Sequence, residues 1–120
     1  MQKKSLDKFL LSKPCAKKEF PFGEEITVFK VKNKMFALYW IEEGLIRINL
    51  KCDPNDALAY REIYSSVIEG YHMNKKYWNT IILDKSIDNK IIKEMINESY
   101  NLVVEKLTKK QKEEIKLNKC

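Results

Sequence analysis

The sequence predicts a two-layer α+β domain, an antiparallel five-stranded sheet with helices on one face, in the order α-β-β-β-α-β-β-α. Three observations carry this. Runs of alternating or aromatic-rich apolar residues follow one another from Ile26 to Leu50, joined by connectors short enough for hairpins. Asp53-Pro54 interrupts them with a helix-start signal. A long apolar stripe at helical spacing then closes the chain's apolar part, from Ile91 to Leu107.

In chain order, residues 2–12 suit a short helix, with Leu6, Phe9 and Leu10 at helical spacing and a stop before Pro14. Glu19-Phe20-Pro21-Phe22-Gly23 reads as a rigid aromatic turn. Strands are expected over Ile26–Val31, Lys34–Trp40 and Leu45–Leu50, turning at Lys32-Asn33 and at Glu42-Glu43-Gly44. In the third, Ile46, Ile48 and Leu50 share one face, while Arg47, Asn49 and Lys51 share the other. Asp53 caps the free N–H groups of the next helix, and Pro54 at its first position sacrifices no hydrogen bond. That helix runs to about Tyr64. Two further strands, Val67–Tyr71 and Trp78–Leu83, flank a His-Met-Asn-Lys-Lys-Tyr connector. Ser86 or Asp88 caps the last helix. The domain is placed at residues 1–107, and the polar, Lys-rich tail 108–120 is expected to fray or to extend the helix into solvent.

The 120 residues suit one domain able to bury its own core. No apolar run reaches the roughly 18–20 residues that span a bilayer, and the N-terminus lacks a secretory apolar core, so a cytoplasmic protein is expected. Cys15, Cys52 and Cys120 are odd in number and widely spaced, which resembles neither a disulfide framework nor a metal finger. They are read as reduced, with Cys120 prone only to adventitious dimers. The net charge of +6 favours phosphate-rich partners. Only Arg47 and Arg61 among the 23 basic residues are arginines, and lysine binds phosphate as a point charge. Backbone contact is therefore favoured over base reading. The same lysine bias is also what an AT-rich coding sequence would produce.

The stretch Gly70–Asp84 is the densest in chemistry. It holds the one histidine, His72, with Asn74, the adjacent Lys75 and Lys76, and the aromatics Tyr71, Tyr77 and Trp78. Ammonium groups beside flat aromatic faces suit a polyanion with stackable surfaces, which nucleic acid supplies. Lys30, Lys32 and Lys34 surround the first hairpin turn and Lys51 ends the third strand, so a lysine-tipped hairpin could straddle a phosphate backbone. Arg61 lies on the second helix, where it could pair with Asp53 or Asp56 and only lock that helix. Each position has a plainer reading: His72 as a turn anchor, Trp78 as packing, the lysines as solvated or as guards of an edge strand. His72 stands alone and no cysteine pair exists, so no metal site is expected. No glycine-rich phosphate loop and no paired carboxylates appear either; neither cofactor nor catalysis is expected.

The ordered set of pieces from Pro14 to Leu107 resembles the MmcQ/YjbR family. They are Pro21-Phe22-Gly23, Phe29-Lys30-Val31, Lys34-Met35-Phe36-Ala37-Leu38, Asn49-Leu50-Lys51-Cys52-Asp53-Pro54, Arg61, Gly70-Tyr71-His72-Met73-Asn74-Lys75, Trp78-Asn79-Thr80 and Ser99-Tyr100. The resemblance implies an α+β domain with a proposed "double wing" mode of DNA binding, and it brings no catalytic residues. One departure is Glu69, where the family usually has proline before Gly-Tyr-His.

The sequence thus points to a small DNA-binding protein of low sequence specificity. Its contacts would come from Lys30, Lys32, Lys34, Lys51, Arg61, His72, Asn74, Lys75, Lys76 and Trp78. The alternative is a protein- or peptide-binding module that uses the open sheet face. A third reading places a small-molecule site under the aromatic turn at Phe20–Phe22.

Overall fold

A computed structural model describes residues 1–120. Helix α1 (Lys3–Leu11) is followed by strands β1 (Ala16–Glu19), β2 (Thr27–Val31), β3 (Lys34–Glu42) and β4 (Leu45–Lys51). Then come α2 (Pro54–Ile63), β5 (Val67–Glu69), β6 (Trp78–Ile82), α3 (Asn89–Glu105) and α4 (Lys109–Lys116). All neighbouring strands pair antiparallel, in the order β1-β2-β3-β4-β6-β5. No helix is long and apolar enough to cross a membrane.

The α+β class and the antiparallel sheet are as the sequence predicts, but the sheet has six strands, not five. The additional one, β1, is Ala-Lys-Lys-Glu, which has no apolar alternation. It exists because β2 has a free edge: Ala16 stands opposite Val31 and Glu19 opposite Val28.

The core lies between one face of the sheet and helices α1 and α3. Thr27, Phe29 and Val31 of β2, Ala37 and Tyr39 of β3, Ile48 and Leu50 of β4, and Ile81 of β6 are buried there. From the helices come Leu6, Leu10, Ile92, Met95, Ile96, Tyr100 and Val103. A bulge between β2 and β3 shapes this layer. Phe29 pairs with Ala37 but Lys30 pairs with Met35, so Phe36 is the extra residue. Its ring packs edge-on against Tyr100, centroids 5.2 Å apart. Buried Ser99 of α3 closes the irregularity: its hydroxyl donates to the Phe36 carbonyl at 2.5 Å and accepts from the Lys51 N–H at 2.8 Å. Helix α2 starts on the expected cap, the Asp53 carboxylate accepting from the Asn55 N–H at 3.0 Å. It is tied to the sheet by buried Asn79, whose amide donates to the Ala57 carbonyl at 3.1 Å.

Asp88 caps α3 through the Lys90 N–H, at 3.0 Å. Ser86 instead joins a polar knot with Asp84 and Ser66. Asp84 accepts from the Ser86 hydroxyl at 2.6 Å, the Ser66 hydroxyl at 2.7 Å and the Ser86 N–H at 3.0 Å. These donors, the Ser86 hydroxyl foremost, hold the Asp84 carboxyl down at about 2.

The C-terminal region corrects two expectations. The tail does not fray: it forms α4, opened by a reciprocal capping box between Thr108 and Gln111. It folds back on the domain, with Lys32 Nζ 3.3 Å from the Glu114 carboxylate and 3.0 Å from the Lys119 carbonyl. Cys120 is disulfide-bonded to Cys15, across a separation of 105 residues; the cysteines are not all reduced, and Cys52 alone is free. Sequence spacing could not show this pairing, because the return of α4 creates it.

Two outcomes follow from these contacts. Asp84 titrates lower in the folded than in the unfolded chain (about 3.9 when unfolded), so the stability it confers is complete above about pH 4 and disappears as pH falls toward 2. In acid titrations of unfolding, Asp84→Asn should flatten that part of the stability curve. Closing so long a loop contributes roughly 4–5 kcal/mol in the chain-entropy account. Urea unfolding of Cys120→Ser, or of the protein in reductant, should register a loss of up to that size, with faster amide exchange in 109–119.

Candidate nucleic-acid interface

Three connections meet at one end of the sheet: the β2–β3 hairpin turn, the end of β4, and the segment between β5 and β6. The register fixes this, since Val31 opposes Lys34, Lys51 opposes Trp78 and Glu69 opposes Asn79. The hairpin turn has positive φ at both Lys32 (48°) and Asn33 (66°), the conformation whose twist matches a two-residue hairpin. At this end, Lys34, Lys75 and Lys76 are exposed and Lys51 is half-buried. None of the four has a carboxylate partner. Asp53, Asp56 and Glu69 lie at the same end, and Asp53 is occupied as a helix cap.

The structure does not bring the other predicted residues to this ledge as free groups. Lys30 is ion-paired to Glu19 at 3.2 Å and Lys32 to Glu114 at 3.3 Å, with side chains only 19% and 12% exposed. Both are corrected from phosphate ligands to internal partners. Arg61 pairs with neither Asp53 nor Asp56; its Nε donates to the Ala57 carbonyl at 3.3 Å. It sits about 10 Å along α2 from the helix start at Pro54, which is the end nearer the ledge. Asn74 shapes the connector: its side-chain oxygen accepts from the Lys76 N–H at 2.9 Å, and its carbonyl accepts from Trp78 N–H at 3.0 Å.

Trp78 is corrected most clearly. It is 8% exposed and cannot stack on a base. Its backbone lies against Gly70 so closely that a Cβ there would fall 2.7 Å from the Trp78 Cβ, which is why position 70 needs glycine.

The β5–β6 connector lies across the helix-free face of the sheet, held by a closed ring of hydrogen bonds. Asn49 donates to the Tyr71 carbonyl at 2.9 Å, Thr80 donates to the Asn49 side-chain oxygen at 2.5 Å, and the Tyr71 N–H donates to the Thr80 hydroxyl at 2.9 Å. Asn49 and Thr80 are 0% and 1% exposed. His72, with φ 59°, follows this anchor and lies against Tyr71, the ring centroids 3.9 Å apart and the planes tilted by 52°. It faces a groove shared with Trp40 and Phe22, not the lysine ledge. The face expected to stay open is thus partly covered, by this connector and by the aromatic turn around Phe22. Alternation along the strands foretold an uncovered face; nothing in the sequence marked the connector as its cover.

Cys52 belongs to the other side of the sheet, beside Tyr60 and Glu98. Burial pushes its thiol up to about 12, assisted by the carboxylates of Glu98, Asp56 and Asp53. His72 and Cys52 line different cavities, so the arrangement holds no Cys–His pair.

Comparison with known proteins decides the kinship. The sequence model of the YjbR family matches residues 11–102. This chain belongs to the YjbR family. It is 38% identical to the protein YbdF of Escherichia coli O157:H7 over 97% of this chain and 98% of that one. It is 28% identical to YjbR of E. coli K12, covering 87% and 88% of the two chains. The crystal structure of Deinococcus radiodurans DR2400, a DUF419 domain, superposes with a TM-score of 0.88 at 35% identity, over 93% of this chain and 86% of that one. A Pseudomonas syringae protein shares the fold at TM-score 0.74 and 24% identity, over 85% of this chain and 98% of its own.

The Cys52 environment gives a direct expectation. At pH 7.5, iodoacetamide should leave Cys52 unmodified in the folded protein and modify it in denaturant, as read by mass spectrometry. Rapid alkylation under native conditions would contradict the burial described.

Proposed function

We propose that the chain binds duplex DNA with low sequence specificity, through the sheet end that carries Lys34, Lys51, Lys75 and Lys76. The observation that carries this reading is the ledge itself. Residues up to 42 positions apart in sequence converge on one end of the sheet, and their four ammonium groups have no internal carboxylate partner. The β2–β3 hairpin and the β5–β6 connector would act as the two wings, with Lys51 between them. The overall charge of +6 supports encounter with a polyanion. With Trp78 buried and His72 turned to the groove, the aromatic left beside the lysines is Tyr77, exposed and with the Lys76 ammonium 5.6 Å from its ring centre; four lysines against one ring favour phosphate contact over base reading. Such binding requires a compartment that holds DNA, and we assign the protein to the cytoplasm.

Neutralising four phosphates gives a slope of log K against log salt of roughly −3 to −4, with Kd of about 10⁻⁴ to 10⁻⁶ M at physiological salt. Titration of a labelled duplex at several salt concentrations reads both. Lys34→Gln and Lys75→Gln should each reduce the slope by about 1. Lys30→Gln and Arg61→Gln should leave it unchanged. Absent or salt-independent binding would reject the proposal.

A further inference from the structure

The helix-free face of the sheet holds a groove of about 880 Å³, in the range of cavities that take drug-sized molecules. Its floor is Leu38 and Trp40, and its walls are Phe22 on one side and Tyr71 with His72 on the other. Three large apolar side chains on this concavity are strongly exposed: Phe22 at 60%, Ile41 at 57% and Tyr71 at 50%. Apolar surface gathered in one hollow marks a binding site more often than scattered exposure does. The aromatic faces are mutually placed, with Trp40 and Tyr71 centroids 5.6 Å apart at 39°.

Charge specifies the occupant. The carboxylates lining the groove are Glu24, Glu25 and Glu42. Glu42 accepts from the Trp40 indole N–H at 3.2 Å and lies 3.7 Å from Arg47, so it is compensated and orients the indole. Glu24 and Glu25 are exposed and have no cationic partner. The one lysine on the lining is Lys3 of α1. In a chain of net charge +6, this hollow carries unpaired acid beside three π faces, which attracts cations and repels phosphate.

We propose that this groove binds a small organic cation with an aromatic or branched apolar body, the ammonium group lying between the rings and the Glu24–Glu25 carboxylates. The wall is preformed: Tyr71 is fixed from both its N–H and its carbonyl by Thr80 and Asn49, and His72 is held in a left-handed conformation. Little ordering is left for the ligand to impose. The site is separate from the lysine ledge, so the inference stands or falls independently of DNA binding.

The test is a titration of the full chain, ¹⁵N-labelled, with benzyltrimethylammonium, benzyl alcohol and benzenesulfonate in turn. The Trp40 indole N–H is the reporter and the buried Trp78 indole the internal control. The cation should shift Trp40 saturably, leave Trp78 in place, and bind about tenfold more tightly than the alcohol. Benzenesulfonate should bind more weakly than either. Glu24→Gln with Glu25→Gln, at exposed positions without ion pairs, should bring the cation's affinity about fivefold closer to that of the alcohol. No saturable shift of Trp40, equal binding of cation and sulfonate, or an unchanged cation affinity in the double variant would each overturn the proposal.

Discussion

The hydrogen-bonded ring of Asn49, Thr80 and the Tyr71 backbone is the constraint on which both candidate surfaces depend. Two neutral polar side chains lie fully buried in the sheet, and they are tolerable there because their amide, carbonyl and hydroxyl groups are satisfied by one another and by Tyr71. Removing a member would leave a buried donor or acceptor unpaired, at about 1–3 kcal/mol. The ring fixes where the β5–β6 connector leaves the sheet. Close contact of Gly70 with Trp78 fixes how near it lies. From that anchor the chain sends Tyr71 and His72 across the face to wall the groove, then returns Lys75 and Lys76 to the sheet end beside Lys51.

The domain thereby presents two surfaces of opposite character from one short segment. The ledge offers point-like ammonium groups at the sheet end, suited to a phosphate backbone. The groove offers indole and phenol faces with free carboxylates, which disfavour the same ligand. Ser99 secures the other half of the arrangement from the core side. By joining the bulged β3 at Phe36 to the Lys51 N–H, it sets the end of β4, and hence Lys51, relative to the first hairpin. The helix layer and the lysine-bearing end of the sheet are in this way joined by one buried hydroxyl.

Much of the fold was legible because its signals are local. The alternation of Ile46, Ile48 and Leu50 and the Asp53-Pro54 cap each depend on neighbouring residues only. What the sequence did not disclose was made by distant parts of the chain. Strand β1 has no pattern of its own and borrows the free edge of β2. Helix α4 did carry a readable sign, the Thr108–Gln111 capping box, but its lack of an apolar stripe argued against order. These two unforeseen elements then changed the site: β1 supplies Glu19 to Lys30, and α4 supplies Glu114 to Lys32. Likewise Trp78 and Arg61 have the residue types of a binding site, and only packing and helix geometry remove them from it.

The most direct measurement is the exchange rate of the Tyr71 backbone amide in the unmodified protein. If the ring anchors the connector, this proton should exchange as slowly as the amides of β6, since it donates to a hydroxyl that is itself buried. The amide of Lys75, four residues on, should exchange fast. Exchange of Tyr71 at the rate of Lys75 would mean that the connector is not fixed to the sheet, and neither the ledge nor the groove would then have the shape described.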